Sequence, residues 1–309
     1  MSPTIVRRLN LTNVIVNVAI IVSGGAVRLT GSGLGCPTWP NCQPGAFHAT
    51  PEMGIHGYIE WGNRLFSVGV GFVAAATLLA ALLLKPRRRA LIGYALLVAI
   101  GVPTQAVIGL ITVTSGLNPW VVSSHFLISI GILTAAYMGY ARSREPDGNI
   151  EYATPPAFRT LSWLVVAASL ATIALGVLVT GSGPHAGDPS SPRIPLDPAM
   201  LAQVHVHAVF LLLGVTVAAG LAAVALKAPL RLRRALWWLL GIELAQGLIG
   251  FVQFATGLPV ILVGAHMLAA AILWLFTVHL VVAGRRYLPS DSDTASPSTA
   301  TREETVAAV

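Results

Sequence analysis

The side chains able to do chemistry in this chain are few, and their spacing is regular. His125 and His266 each stand nine positions after a glycine, Gly116 and Gly257. His205 and His207 lie together in "QVHVHAVFLLLG". Glu60, Asn63 and Arg64 fall on one helical face of "HGYIEWGNRLF", which His56 opens. Both cysteines, Cys36 and Cys42, sit in the loop sequence "GSGLGCPTWPNC". Neutral imidazoles facing each other across packed helices suit axial ligation of haem iron. A carboxylate retained among apolar helices is costly and reads as functional. The plain alternatives are an interhelical hydrogen bond for a single histidine and a local ion pair for Glu60 with Arg64.

The elements that must position these groups are membrane helices. The chain has 309 residues, 55% hydrophobic and 10% charged, with a mean hydropathy of +0.74, which excludes a soluble globular class. Eight apolar stretches reach the roughly 20 residues that a helix needs to cross a bilayer, near 10–28, 57–84, 91–114, 120–141, 159–180, 200–226, 235–255 and 259–283. Runs of this length do not suit a barrel, whose strands alternate. The first stretch carries no small-residue cleavage site after its apolar run and is expected to be a retained helix.

With the N-terminus on the cytoplasmic side, sixteen of the nineteen Lys and Arg residues fall on that side; Arg28, Arg64 and Arg193 are the exceptions. That bias predicts a multi-pass plasma-membrane protein with both termini cytoplasmic. It accounts for the net charge of +7 through topology and lipid, with no call for nucleic acid. The cysteine loop then faces an oxidising compartment, where a small Cys36–Cys42 staple is expected. A transient thiol pair stays open. Zinc would want four ligands, and His48 and His56 add at most two; copper at the cysteines is left open.

Two halves repeat. "TGSG" follows the first and fifth stretches at 30–33 and 180–183, and Gln105, Gly109, Gly116 and His125 recur 141 positions later as Gln246, Gly250, Gly257 and His266. The fold class expected is all-α integral membrane, eight helices as a tandem pair of four-helix bundles in parallel repeats. The boundaries read as 1–142 for the N-terminal repeat, 143–158 for a cytoplasmic linker, 159–286 for the C-terminal repeat and 287–309 for a disordered tail. Only one of His205 and His207 can face the bundle interior, because a two-residue step turns a helix by about 200°. Laying "NRLFSVG" on "HAVFLLL" matches Phe66 with Phe210 and pairs Asn63 with His207, which selects His207. Glu60 and Arg64 then lack charged twins, a division of labour between a fixed cofactor and a worked substrate. His48, His185 and His279 read as non-ligands, and Trp39 and Trp120 as interfacial anchors.

These residues resemble the haem A synthases. The resemblance covers nearly the whole membrane chain, and its most specific piece is "GGAVRLTGSGLGCPTWPNC". "IEWGNR" resembles the family's glutamate segment, in which many members place a histidine where this chain has Asn63. The resemblance implies oxidation of a haem O ring methyl to a formyl group, giving haem A for terminal oxidases. It implies a permanent haem B on His207 and His266. It also implies a substrate haem near His125, with Asn63, Arg64 and His56 around it, Glu60 as catalytic carboxylate, and a Cys36–Cys42 disulfide nearby. Asn63 is a poor iron ligand, and His56 would need to reach inward by roughly 10 Å, so His125 alone is the expected substrate ligand. Arg28 and Arg64 are candidates for the haem propionates. Haem O synthase and oxidase assembly factors are the partners in view. A b-type membrane cytochrome and a haem transporter or chaperone remain the rival readings.

Overall fold

A computed structural model describes residues 1–146 and 149–288. Its helices are α1 (Pro3–Leu29), α2 (Gly54–Leu83), α3 (Arg89–Thr114), α4 (Pro119–Arg144), α5 (Pro156–Ser182), α6 (Pro198–Ala225), α7 (Leu230–Ala255) and α8 (Val260–Ala283). All eight are long and apolar enough to span a bilayer, as the sequence predicts. Helices are the form this sequence must take in lipid, because an apolar medium offers backbone groups no outside partner. Local chemistry sets several of their ends. Ser2, Asn118 and Asp197 cap α1, α4 and α6 by accepting from the backbone N–H two residues on, and each is followed by proline in the first turn.

The helices form two rings. In the first, α1 packs on α2, α2 on α3, α3 on α4 and α4 on α1; in the second, α5 to α8 close in the same way. The rings meet where α1 and α4 lie against α8 and α4 against α5. Small buried residues such as Ala74, Ala136, Ala219 and Ala271 let these backbones approach closely. Polar bonds join the halves. Trp274 Nε1 donates to Thr134 Oγ1 at 2.7 Å, and His279 Nδ1 is 2.7 Å from the Tyr137 hydroxyl.

The repeat is visible in the turns as well as the helices. α3 ends on Gly116 and Leu117 at φ 62° and 61°, and α7 on Gly257 and Leu258 at 78° and 61°. Leu117 N–H reaches back to Thr112 O at 2.9 Å, and Leu258 N–H to Gln253 O at 2.7 Å, the same six-residue closure at both helix ends. Glycine suits this turn because left-handed backbone costs it nothing.

The connection 143–158, expected as a linker, carries helix and strand at its described residues. α4 runs on to Arg144, and β1 (Asn149–Tyr152) pairs antiparallel with β2 (Arg285–Leu288), from Asn149 opposite Leu288 to Tyr152 opposite Arg285. The tail expected from 287 therefore begins inside a strand, and its remainder, 289–309, lies outside the described residues.

Candidate functional site

A single cavity of about 1760 Å³ runs through both rings. It exceeds the roughly 300–1,000 Å³ of a pocket for one ordinary small ligand, so there is room for two large flat molecules.

In the second ring the cavity wall carries His205 from α6 and His266 from α8. Both rings lean on glycine. A Cβ added at Gly176 would lie 3.1 Å from His205 Cε1, and one at Gly250 would lie 3.1 Å from His266 Cε1. Both Nδ1 atoms are buried without a hydrogen-bond partner among the described residues. His207, the residue chosen from the sequence, is exposed and off the cavity. The two-residue step from 205 to 207 turns the side chain to the far face of α6. The choice of His207 traces to the offset. Matching phenylalanines set it at 144, whereas Asn63 and His205, which share the cavity wall, are 142 apart. Carrying the 141 offset of the following helices back into α2 would have come within one residue of His205. With the corrected register the positions matching Glu60 and Arg64 are Ala202 and Val206, so both still lack charged twins.

In the first ring the wall carries His125, Asn63, Glu60 and Arg64. His125 Nδ1 is likewise buried and unpartnered among the described residues. Gln105 Nε2 donates to His125 O at 2.9 Å, and its twin Gln246 Nε2 donates to His266 O at 2.9 Å, so each hairpin fixes its histidine backbone in the same way. Asn63 Oδ1 accepts from Ser23 Oγ at 2.7 Å. His56 is exposed, pairs with Ser32 Oγ at 2.9 Å and does not reach the cavity.

Glu60 and Arg64 hold the cysteine loop. Glu60 is 5% exposed. Its Oε2 accepts the Cys36 N–H at 2.7 Å, and its Oε1 accepts from Arg64 Nε at 3.1 Å and Nη2 at 2.5 Å. Arg64 also donates to the carbonyls of Cys36 and Thr38 at 2.8 Å and of Asn41 at 3.3 Å. All three of its nitrogens are thereby engaged by protein. Arg28 reaches His185 O at 2.6 Å through Nε and Thr180 O at 2.8 Å through Nη2. Its Nη1 has no protein partner among the described residues, and Arg28 lines the cavity.

Cys36 and Cys42 form a disulfide, buried with Ala49 and against Met53 and Trp61. No group of three or more His, Cys, Asp and Glu that could hold a metal ion is found among the described residues. Trp39, expected as an interfacial anchor, stands on the cavity wall from this loop. Cys36→Ser should lower the loop's stability by about 2 kcal/mol, the loop-entropy value for so short a ring. The check is a thermal melt of the purified protein with and without reductant: reductant should lower the wild-type midpoint and leave that of the variant unchanged.

The sequence reading missed Glu243. It lies near the middle of α7 in "GIELAQG", is 3% exposed and lines the cavity. Thr216 Oγ1 on α6 donates to its Oε1 at 2.8 Å, and its Oε2 has no partner among the described residues. The signal was present, since any carboxylate inside a membrane helix is a functional candidate.

Comparison with known proteins places the chain. The family described as cytochrome oxidase assembly protein, COX15-CtaA, matches residues 7–278. A Heme A synthase of Bacillus pumilus is 34% identical over 127 residues, 40% of each chain. Heme A synthases of Brucella anthropi and Brucella ovis are 30% and 31% identical over 205 and 202 residues, 56% and 55% of each chain. The chain thus spans about half the length of the curated relatives it matches. With the family match running through all eight membrane helices, the chain belongs to the COX15-CtaA family of cytochrome oxidase assembly proteins.

Proposed function

We propose that this protein is a haem A synthase, an oxidoreductase converting the ring methyl of haem O into the formyl group of haem A. The observation that carries the reading is the inequality of the two half-sites. One has paired imidazoles, His205 and His266, and the other has a single cavity imidazole, His125; each half also carries one wall carboxylate, Glu243 in the second and the Arg64-bound Glu60 in the first. His205 and His266 fit a resident haem B. They project from different helices of one ring, their Nδ1 atoms are unpartnered, and glycines lie under both rings. When bound, that group supplies one-electron redox chemistry. A lone imidazole in the other half suits a porphyrin that must leave as product, and Asn63 adds no strong ligand.

This chain's own residues then hold and orient the substrate and handle its protons. His125 holds the substrate haem, and Arg28 Nη1 is available to a propionate. Glu60, kept in place by Cys36 N–H and Arg64, stands on the wall where it accepts a proton or stabilises positive charge developing at the methyl. The apolar wall keeps bulk water from the reacting centre. The plasma membrane is the setting, with both termini cytoplasmic, the cysteine loop outside, and haem O synthase and oxidase assembly factors as partners.

The test is pigment extraction from membranes co-expressing a haem O synthase. Haem A appearing only with the intact protein supports the reading, and unaltered haem O with haem B alone removes it. The glycines give a finer check. Gly250→Val should push His266 aside at about 1–3 kcal/mol of overpacking, seen as roughly ten-fold weaker haem retention on gel filtration. Gly109→Ala should be tolerated, since its added Cβ meets His125 Cε1 at 3.8 Å.

A further inference from the structure

Glu243 takes no step in the reading above, yet it is among the costliest groups in the membrane interior. It lies twelve residues before the end of α7 at Ala255, about 18 Å of helix from the cysteine-loop side. The matching residue of the first half, 141 positions earlier, is Val102, so the shared fold does not require a carboxylate here.

Glu243 heads a polar stripe. Glu243, Gln246, Gly250 and Gln253 are spaced three, four and three residues apart and all line the cavity, the spacing of one helical face. Three acceptors on it are buried without a donor among the described residues: Glu243 Oε2, Gln246 Oε1 and Gln253 Oε1. In the first half the stripe reads Val102, Gln105, Gly109 and Thr112; Gln105 Oε1 is likewise without a donor among the described residues, but the Thr112 hydroxyl satisfies itself on Ile108 O at 2.9 Å, so one orphan stands there against three. A row of orphan acceptors over ten residues, about 15 Å, is the lining water asks for, since each water brings two donors and needs two to four polar partners. The helices packed on α7 are α6 and α8. Their titratable groups are His205 and His266 in the cavity, His207 off it, and His279 bonded to Tyr137. The charges on α7 itself are Arg231, Arg233 and Arg234 in its opening turns. No cation is recorded in contact with Glu243 among the described residues; Thr216 alone bonds it.

We propose that Glu243 is a redox-linked proton site for the C-terminal half, filled and emptied along a file of water on the Gln246–Gln253 face of α7. With a haem iron held by His205 and His266, each electron added by a one-electron reductant would be matched by one proton taken from water on the cysteine-loop side. That proton forms an O–H bond at Glu243 Oε2, and reoxidation breaks the bond and returns it. In a low-dielectric interior a charge added to the iron is costly unless a counter-charge moves with it. The inference rests on the resident haem of the proposed function, and its test does not depend on haem A being made.

The test is spectroelectrochemistry of the haem-loaded protein in nanodiscs from pH 6 to 9, with infrared difference spectra of the oxidised and reduced forms. The wild type should show a midpoint potential falling with pH by up to about 59 mV per unit, the value for one proton per electron, and a redox-sensitive carboxyl band. Glu243→Gln should flatten the slope and remove the band. Should Glu243→Gln not fold, Glu243→Asp should keep the band at a shifted position, and Gln253→Leu should keep the slope while slowing proton uptake after flash reduction. A wild-type potential independent of pH, or a slope and band untouched by Glu243→Gln or Glu243→Asp, overturns the proposal alone. A protein that holds no haem overturns it together with the resident-haem reading.

Discussion

His266→Ala is expected to strip the C-terminal half of its haem, and His205→Ala to do the same, while His207→Ala leaves the absorption spectrum intact. An axial imidazole cannot be replaced by a methyl group. Loss of even an outer partner of a metal ligand weakens metal binding by about 10–100-fold, so removal of the ligand itself should exceed that. His205 and His266 both stand on the cavity wall, and His207 points away from it. The measurement is the reduced-minus-oxidised spectrum and haem content of each purified variant. A His207→Ala protein without haem, beside a normal His205→Ala protein, would reverse the assignment of α6.

Glu60→Gln is expected to stop haem A formation and spare the resident haem. The amide is nearly isosteric and still accepts the Cys36 N–H through its oxygen, while its NH2 group faces the Arg64 donors and no longer accepts from them. What it loses is the ability to take a proton and the charge that faces Arg64. Loss of general acid–base catalysis costs about 10²–10⁴-fold in rate, so product should fall below detection in an extraction assay. Glu60→Ala is the structural control. It leaves both the buried Cys36 N–H and the Arg64 guanidinium short of an acceptor, at about 1–3 kcal/mol for each such group, so it should lower the melting temperature further than Glu60→Gln, which keeps the Cys36 bond. A Glu60→Gln protein that still makes haem A would reduce Glu60 to the anchor of its loop.

The sequence made much of this architecture readable, because two of its signals are physically redundant. Eight apolar runs leave the backbone no choice but helix, and one offset repeated at Gln105, Gly109, Gly116 and His125 describes a hairpin the chain builds twice. The choice of His207, which lies off the cavity, arose where that redundancy was set aside. A match of two phenylalanines outranked the offset, yet bulky apolar residues on a membrane helix carry little register information, since any lipid-facing position accepts them. Phe210 lines the cavity, whereas Phe66 does not, so the two matched residues do not occupy equivalent places. Glu243 stands outside the segments that carry the family resemblance and has no charged neighbour at helical spacing, so only its charge within an apolar helix marks it in the sequence. The loop contacts of Glu60 and Arg64 were beyond sequence altogether, for Arg64 donates to three backbone carbonyls, and a carbonyl is offered by every residue.

The pairing of β1 with β2 has an evolutionary corollary. β1 precedes the first helix of the C-terminal half and β2 follows its last, so that half enters and leaves the bilayer through strands lying about 4.8 Å apart. A module whose two ends are neighbours can be copied into a chain, or circularly permuted, without rerouting its neighbours. An ancestral four-helix gene could therefore have doubled in one step, and the two copies were then free to drift toward unequal trades.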